Sequence, residues 1–268
     1  MEHVPPTRIA TDTFVVHAHR ADPTGLVVAS NALLLRSVQP VVVDTGMAEH
    51  GEQILHDLFS LVEPDDIRWV VISHDDLDHA GNASALMRAA PNAVLVVDWL
   101  MQHRMGAVLD VPIDRQRWIL PGERFDIGDR VLSTIRPPVY DSPATRAVFD
   151  PTTGVLWSAD WFGTPLDRAV TDVGDLDPAL WTEGMATFDR FTAPWITTID
   201  PRRFQAGIDV AEGLGPTVIA GSHTPVIGSH HVDAAFSAAR RSADASVAPL
   251  PDRTVLERLR SCLEPTPN

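Results

Sequence analysis

Short, unbroken apolar runs alternate with amphipathic stretches along most of this chain. Residues 12–16, 26–35 and 38–43 are apolar runs separated by Asp22-Pro23-Thr24-Gly25 and Gln39-Pro40, and they predict strands. Residues 48–62 carry Ile54, Leu55, Leu58 and Leu61 at helical spacing on one face. Trp69-Val70-Val71-Ile72 centres a buried strand at 67–73. A helix at 82–90, stopped by Pro91-Asn92, then leads to a strand at 93–97 and a helix at 98–109. Residues 123–135 predict a hairpin turning at Ile127-Gly128-Asp129, and 146–159 another turning at Pro151-Thr152-Thr153-Gly154. Helices at 178–194, 201–213 and 230–241, with a strand at 217–221, complete the pattern. It reads as one domain without repeats, residues 1–242. Residues 243–254 look like a linker to a short terminal helix at 253–263, so 243–268 is packed on that domain or trails it. Periodicity alone gives an α/β class.

Composition narrows the picture. A chain of 268 residues can bury a full core as one unit, and 44% hydrophobic content fits an ordinary globular protein. No apolar run approaches the roughly 18 residues needed to span a bilayer. Met1-Glu2-His3-Val4-Pro5-Pro6 lacks the basic start and apolar core of a secretory signal. The single Cys262 excludes an internal disulfide and points to a reducing compartment, with the cytoplasm as default. A net charge of −15 disfavours nucleic acid and anionic membrane as partners, because no basic field offsets phosphate repulsion. All basic residues are arginine, which excludes Schiff-base lysine chemistry and a Walker A lysine.

The chemistry concentrates at His74-Asp75-Asp76-Leu77-Asp78-His79, directly after the strand at 67–73. Imidazoles and carboxylates packed this densely at a strand-to-helix turn suit a divalent or trivalent metal. The pattern His74-x-Asp76-x-Asp78-His79 resembles the His-x-His-x-Asp-His signature of the metallo-β-lactamase superfamily, with Asp76 in place of the second histidine. That change is similar to the flavodiiron and oxygen-binding diiron branch, which usually carries Glu there. Val41-Val42-Val43-Asp44-Thr45-Gly46 resembles the family's strand-Asp-Thr-Gly segment. Leu156-Trp157-Ser158-Ala159-Asp160 resembles the segment with the metal-bridging aspartate, and Val218-Ile219-Ala220-Gly221-Ser222-His223-Thr224-Pro225 the strand with the last histidine ligand. The resemblance spans roughly residues 9 to 230 and implies an αββα sandwich, two mixed sheets between helical layers.

It also implies the ligands. His74, Asp76 and Asp160 would hold one metal; Asp78 and His223, with Asp160 bridging, would hold the other. His79 ligates in many family members and stands aside in some diiron ones. Asp78 and Asp160 are the expected catalytic positions. The family supplies one more histidine before the bridging aspartate, yet no histidine lies between His103 and His223. The matching segment is Ile135 to Pro143, in which Asp141 could supply an oxygen and Tyr140 is the other candidate; Asp141-Ser142-Pro143 is equally a plain turn. Asp44 either orients a ligand or makes an Asx turn.

An oxygen-rich first site favours iron or manganese over zinc. The favoured expectation is a diiron oxidoreductase that binds or reduces O2 or NO, or oxidises a small substrate. A dinuclear zinc hydrolase of esters, thioesters or lactones is the alternative, and a degenerate binding or sensing protein the third. The sequence ends soon after the last ligand without a flavodoxin-like segment, so a separate electron donor is expected, and a homodimer is open. His17-Ala18-His19 reads as a strand edge near the substrate mouth and His230-His231 as surface. Trp157, Trp161 and Phe162 read as core, or as an apolar wall around Asp160. Ser73 and Ser222 each precede a ligand without serine-hydrolase order.

Overall fold

A computed structural model describes residues 2–22, 25–246 and 252–263. The first half runs β1 (Thr7–Ala10), β2 (Thr13–Val16), β3 (His19–Ala21), β4 (Val27–Ala29), β5 (Ala32–Leu35), β6 (Val41–Val43), α1 (Gly51–Leu61), β7 (Trp69–Val71), α2 (Leu77–Ala80), α3 (Ala83–Ala89), β8 (Val94–Val97), α4 (Trp99–Leu109) and β9 (Gln116–Trp118). The second runs β10 (Arg124–Asp126), β11 (Val131–Ile135), β12 (Ala147–Asp150), β13 (Val155–Trp157), α5 (Pro178–Thr192), α6 (Pro201–Glu212), β14 (Val218–Gly221), β15 (Thr224–Ile227), α7 (Val232–Ala239) and α8 (Arg253–Leu263). One sheet has the order β1-β2-β5-β6-β7-β8-β9, the other β10-β11-β12-β13-β14-β15, and β3-β4 form a separate ribbon.

Both faces of each sheet are covered, which is why its strands read as continuous apolar runs. Val41 and Val43 pack between the two sheets, while Val42 faces α1 and α3. Val148 and Trp157 face the inter-sheet core, while Phe149 and Leu156 pack with residues of α5, α6 and α7. This is the expected αββα sandwich. Asp177 and Asp200 cap α5 and α6, each followed by proline at the first helical position, where its missing N–H costs nothing. Under α5, the Asp189 carboxyl is fully buried and accepts from Ser242 Oγ at 2.7 Å.

Two expectations need correction or limits. The run 26–35 is not one strand: it breaks at Ser30-Asn31, where Ser30 N–H bonds Ala18 and the chain passes from the β3-β4 ribbon into the first sheet. Of the linker expected at 243–254, residues 247–251 lie outside the described residues, and 242–244 form a 3₁₀ turn. Among the described residues, no helix is long and apolar enough to cross a membrane.

Candidate metal centre

The site lies where β6, β7, β13 and β14 end, at the rim of the sandwich. β6 and β7 are parallel in one sheet, and β13 and β14 are parallel in the other, so four carboxyl ends converge there. The Asp44-Thr45-Gly46 segment straps the ligand loop down. Ser73 N–H donates to Asp44 Oδ1 (2.7 Å), Thr45 Oγ1 and N–H both donate to the His79 carbonyl (2.9 and 2.7 Å), and Gly81 N–H donates to the Gly46 carbonyl (3.0 Å). A Cβ at Gly81 would fall on the Ala48 amide and within 2.6–2.7 Å of the Leu77 and Gly46 carbonyls, all backbone. Gly81→Ala is therefore expected to cost about 1–3 kcal/mol, read from urea unfolding, and to weaken metal retention. A neutral result would mean that this strap does not position the loop.

Asp76 is the N-cap of α2 but its carboxylate makes no capping bond, which leaves it to face His74. His74 Nε2 lies 3.4 Å from Asp160 Oδ2, 3.6 Å from Asp141 Oδ1 and 3.8 Å from Asp76 Oδ2. His79 Nε2 is 2.8 Å from Asp160 Oδ1, and His223 Nε2 is 3.3 Å from both Asp160 Oδ1 and Asp78 Oδ2. Donor atoms gather in three overlapping groups, His74/His79/Asp160, Asp78/His79/His223 and His74/Asp76/Asp141, each within 4.8 Å. All seven residues named from the sequence thus meet at one place. His79 sits in two of the groups. Tyr140 packs on Trp195 instead (4.6 Å between ring centres), so Asp141 is the residue of that segment that faces His74.

The surrounding bonds fix which nitrogen each imidazole presents. His79 Nδ1 bonds Asp44 Oδ2 (3.1 Å) and His223 Nδ1 bonds the Ala29 carbonyl (2.6 Å), so each Nε2 points into the site. Asp44 is fully buried, left-handed (φ +58°), and also accepts from the Trp157 indole (2.9 Å) and Ser222 Oγ (3.2 Å). Trp157 therefore supports the centre from one layer out, whereas Trp161 and Phe162 pack against Phe236 in the core. Ala159 and Phe162, flanking Asp160, are left-handed as well (φ +58° and +69°). Such backbone is costly for side chains with a Cβ and is held only where packing overrides it.

Charge dominates the electrostatics. Burial disfavours the charged forms of His79 and Asp160, but nearby opposite charge outweighs it: Asp160 and Asp44 hold His79 well above the usual imidazole range, and His74 and His79 hold Asp160 well below the usual carboxylate range. His223 is pushed up to about 10, burial being overcome by the Asp160 and Asp78 carboxylates 3.3 Å away. Asp141 is raised to about 6, by burial first and then by the nearby Asp160 charge. His74 Nε2, His79 Nε2 and Asp160 Oδ1 are buried and make no well-aligned hydrogen bond, although His79 Nε2 and Asp160 Oδ1 stand 2.8 Å apart. Unsatisfied buried donors and acceptors are rare, and these three face one another with the geometry of a ligand set. The residues fit a dinuclear metal group.

Three contributors escaped the sequence reading. Asp75 accepts from Arg104 Nη1 (2.6 Å) and from Ser142 Oγ, tying the Asp141 turn to the ligand loop. The Asn31 amide bridges the Gly221 and Thr224 carbonyls (3.2 Å each) behind His223. The Ala29 carbonyl has no sequence signal at all. His17 and His19 stack (6.0 Å, 15°) near the site without entering any donor group, and burial lowers His17 to about 4.

Fold and site together define an αββα sandwich with a histidine–aspartate cluster at its rim. The chain belongs to the metallo-beta-lactamase superfamily, whose family model matches residues 25–232. It is 29% identical over 210 residues to the type A flavoprotein fprA of Rhodobacter capsulatus, an alignment covering 76% of this chain and 46% of that protein. The chain spans 34% to 46% of the length of the first curated relatives it matches. Among solved structures, rubredoxin oxygen:oxidoreductase of Desulfovibrio gigas superposes with a TM-score of 0.75 at 20% identity, covering 89% of this chain and 61% of that one. The flavodiiron protein of Giardia intestinalis gives 0.73 at 17% identity, covering 91% and 60%.

Proposed function

We propose that this chain is the metal-bearing part of a diiron oxidoreductase that binds or reduces dioxygen or nitric oxide, or oxidises a small organic molecule. The observation that carries this reading is the trio of buried atoms that converge without a well-aligned hydrogen bond, His74 Nε2, His79 Nε2 and Asp160 Oδ1, within a set richer in carboxylates than imidazoles. Such a hard, anionic donor set favours iron over zinc. His74, Asp76, Asp141 and Asp160 would hold one ion, and Asp78, His79, His223 and Asp160 the other. Two irons held there would supply the electrons and the binding point for the small gas. The similar structures include a rubredoxin oxygen:oxidoreductase and a flavodiiron protein, which supports the same reading.

The chain's own residues contribute order and charge. Asp44 and the Ala29 carbonyl keep the His79 and His223 rings aimed, Asp160 reaches both halves, and the Asp75–Ser142 bond holds Asp141 against His74. Electrons would arrive from a donor beyond residues 1–242, to which we assign the metal-bearing domain, with 243–268 as its appendage. A flavin-bearing partner, a cytoplasmic setting and a homodimer agree with this assignment. The test is anaerobic loading with iron, reduction, and exposure to oxygen or nitric oxide. A change in the visible spectrum is expected, with about two irons per chain. No change with both irons bound would overturn the reading, and turnover of esters, thioesters or lactones by zinc-loaded protein would replace it with hydrolysis.

A further inference from the structure

The two halves of the centre are chemically unequal. In one, two imidazoles (His79 and His223) join Asp78 and Asp160. In the other, the single imidazole of His74 faces Asp76, Asp141 and Asp160. Exposure differs as well: the Asp76 side chain is 53% exposed, against 7% for His223. His74 is wholly buried, and its Nε2 is aimed into the carboxylate-rich half without a partner, which marks that half as a built site rather than an acidic surface.

We propose that the centre sorts metals between its halves. A borderline ion such as Zn2+ or Fe2+ goes to the Asp78–His79–His223 half, and a hard ion such as Mn2+ or Fe3+ to the His74–Asp76–Asp141 half. The proposal rests on the dinuclear reading above. Imidazole nitrogen suits zinc and ferrous iron, whereas carboxylate oxygen suits manganese and other hard ions. Charge acts in the same direction. Apart from the shared Asp160, the His74 half holds two carboxylates and the His223 half one, so the former neutralises the more highly charged ion. Asp141 is the residue that creates the inequality. It stands 3.6 Å from His74 Nε2, on a turn tied to the ligand loop through Ser142 and Asp75.

Zinc outcompetes manganese at almost any site of this kind, so the test must limit the supply. The full chain, stripped by chelator, receives one equivalent each of Zn2+ and Mn2+. Anomalous diffraction at the two metal edges then locates each ion. Zinc is expected beside His79 and His223 and manganese beside His74, with at least a tenfold bias. Asp141→His, at a side chain 27% exposed, restores a second nitrogen and is expected to spread zinc over both halves. Zinc divided evenly in the unaltered chain, or a distribution that Asp141→His leaves unchanged, would overturn the proposal while the dinuclear reading stood. A single bound metal per chain would overturn both.

Discussion

Replacing Asp160 with alanine is expected to strip both metals from the chain. Its Oδ1 lies within 3.3 Å of His79 and His223 and its Oδ2 within 3.4 Å of His74, so one substitution removes an oxygen from each half. Loss of a supporting partner around a metal costs about 10–100-fold in affinity, and loss of a shared ligand should exceed the upper figure. Elemental analysis after dialysis against a metal buffer would show it. Asp76→Ala, at an exposed position in the His74–Asp141 half, should release one ion and keep the other. Retention of two ions by Asp160→Ala would rule out a bridging role. Asp160→Asn, which preserves shape, separates loss of charge from loss of packing.

A second large effect lies away from the metals. Burial raises the Asp189 carboxyl from 3.8 to about 7, and the Ser242 hydroxyl offsets only part of that. Between these values the folded chain holds a proton that the unfolded chain has released, so stability falls as pH rises from about 4 to about 7. At ~1.4 kcal/mol for each tenfold change in acidity, the rise from 3.8 to about 7 corresponds to a penalty of about 4 kcal/mol at neutral pH. Asp189→Asn removes the titration. Urea unfolding of both proteins from pH 4 to 7 should show the variant gaining steadily on the parent. A gap independent of pH would mean that Asp189 ionises normally in the fold.

Much of the fold was legible because the sandwich buries both faces of its inner strands. Val41-Val42-Val43 and Val94 to Val97 need no alternation, and their unbroken character survives any uncertainty about register. The strands that escaped, β1, β9 and β15, lie at sheet edges, where Gln116, Arg117 and Pro225 are tolerated because one side lacks a neighbour. The ribbon strand β3, at His19-Arg20-Ala21, is short and polar for a similar reason. At the site, His74, Asp76, Asp78 and His79 were readable because they are local. Asp141 was readable only as the substitute for an absent histidine. Asp75 sat inside the same motif and was passed over, since nothing in its spacing reveals that it faces Ser142, far away in sequence. The hydrogen bond to the Ala29 carbonyl belongs to the backbone and leaves no trace in residue type.

The proposed ligands come from both sheets: His74, Asp76, Asp78 and His79 follow β7, while Asp160 and His223 follow β13 and β14. An ion bound to both sets is therefore a cross-link between the layers, joining segments far apart along the chain. Binding that requires the closed sandwich must stabilise it, by about 1.4 kcal/mol for each tenfold excess of free metal over its dissociation constant. Folding and metal supply are then linked equilibria, and cells short of metal would hold this protein nearer its unfolding threshold.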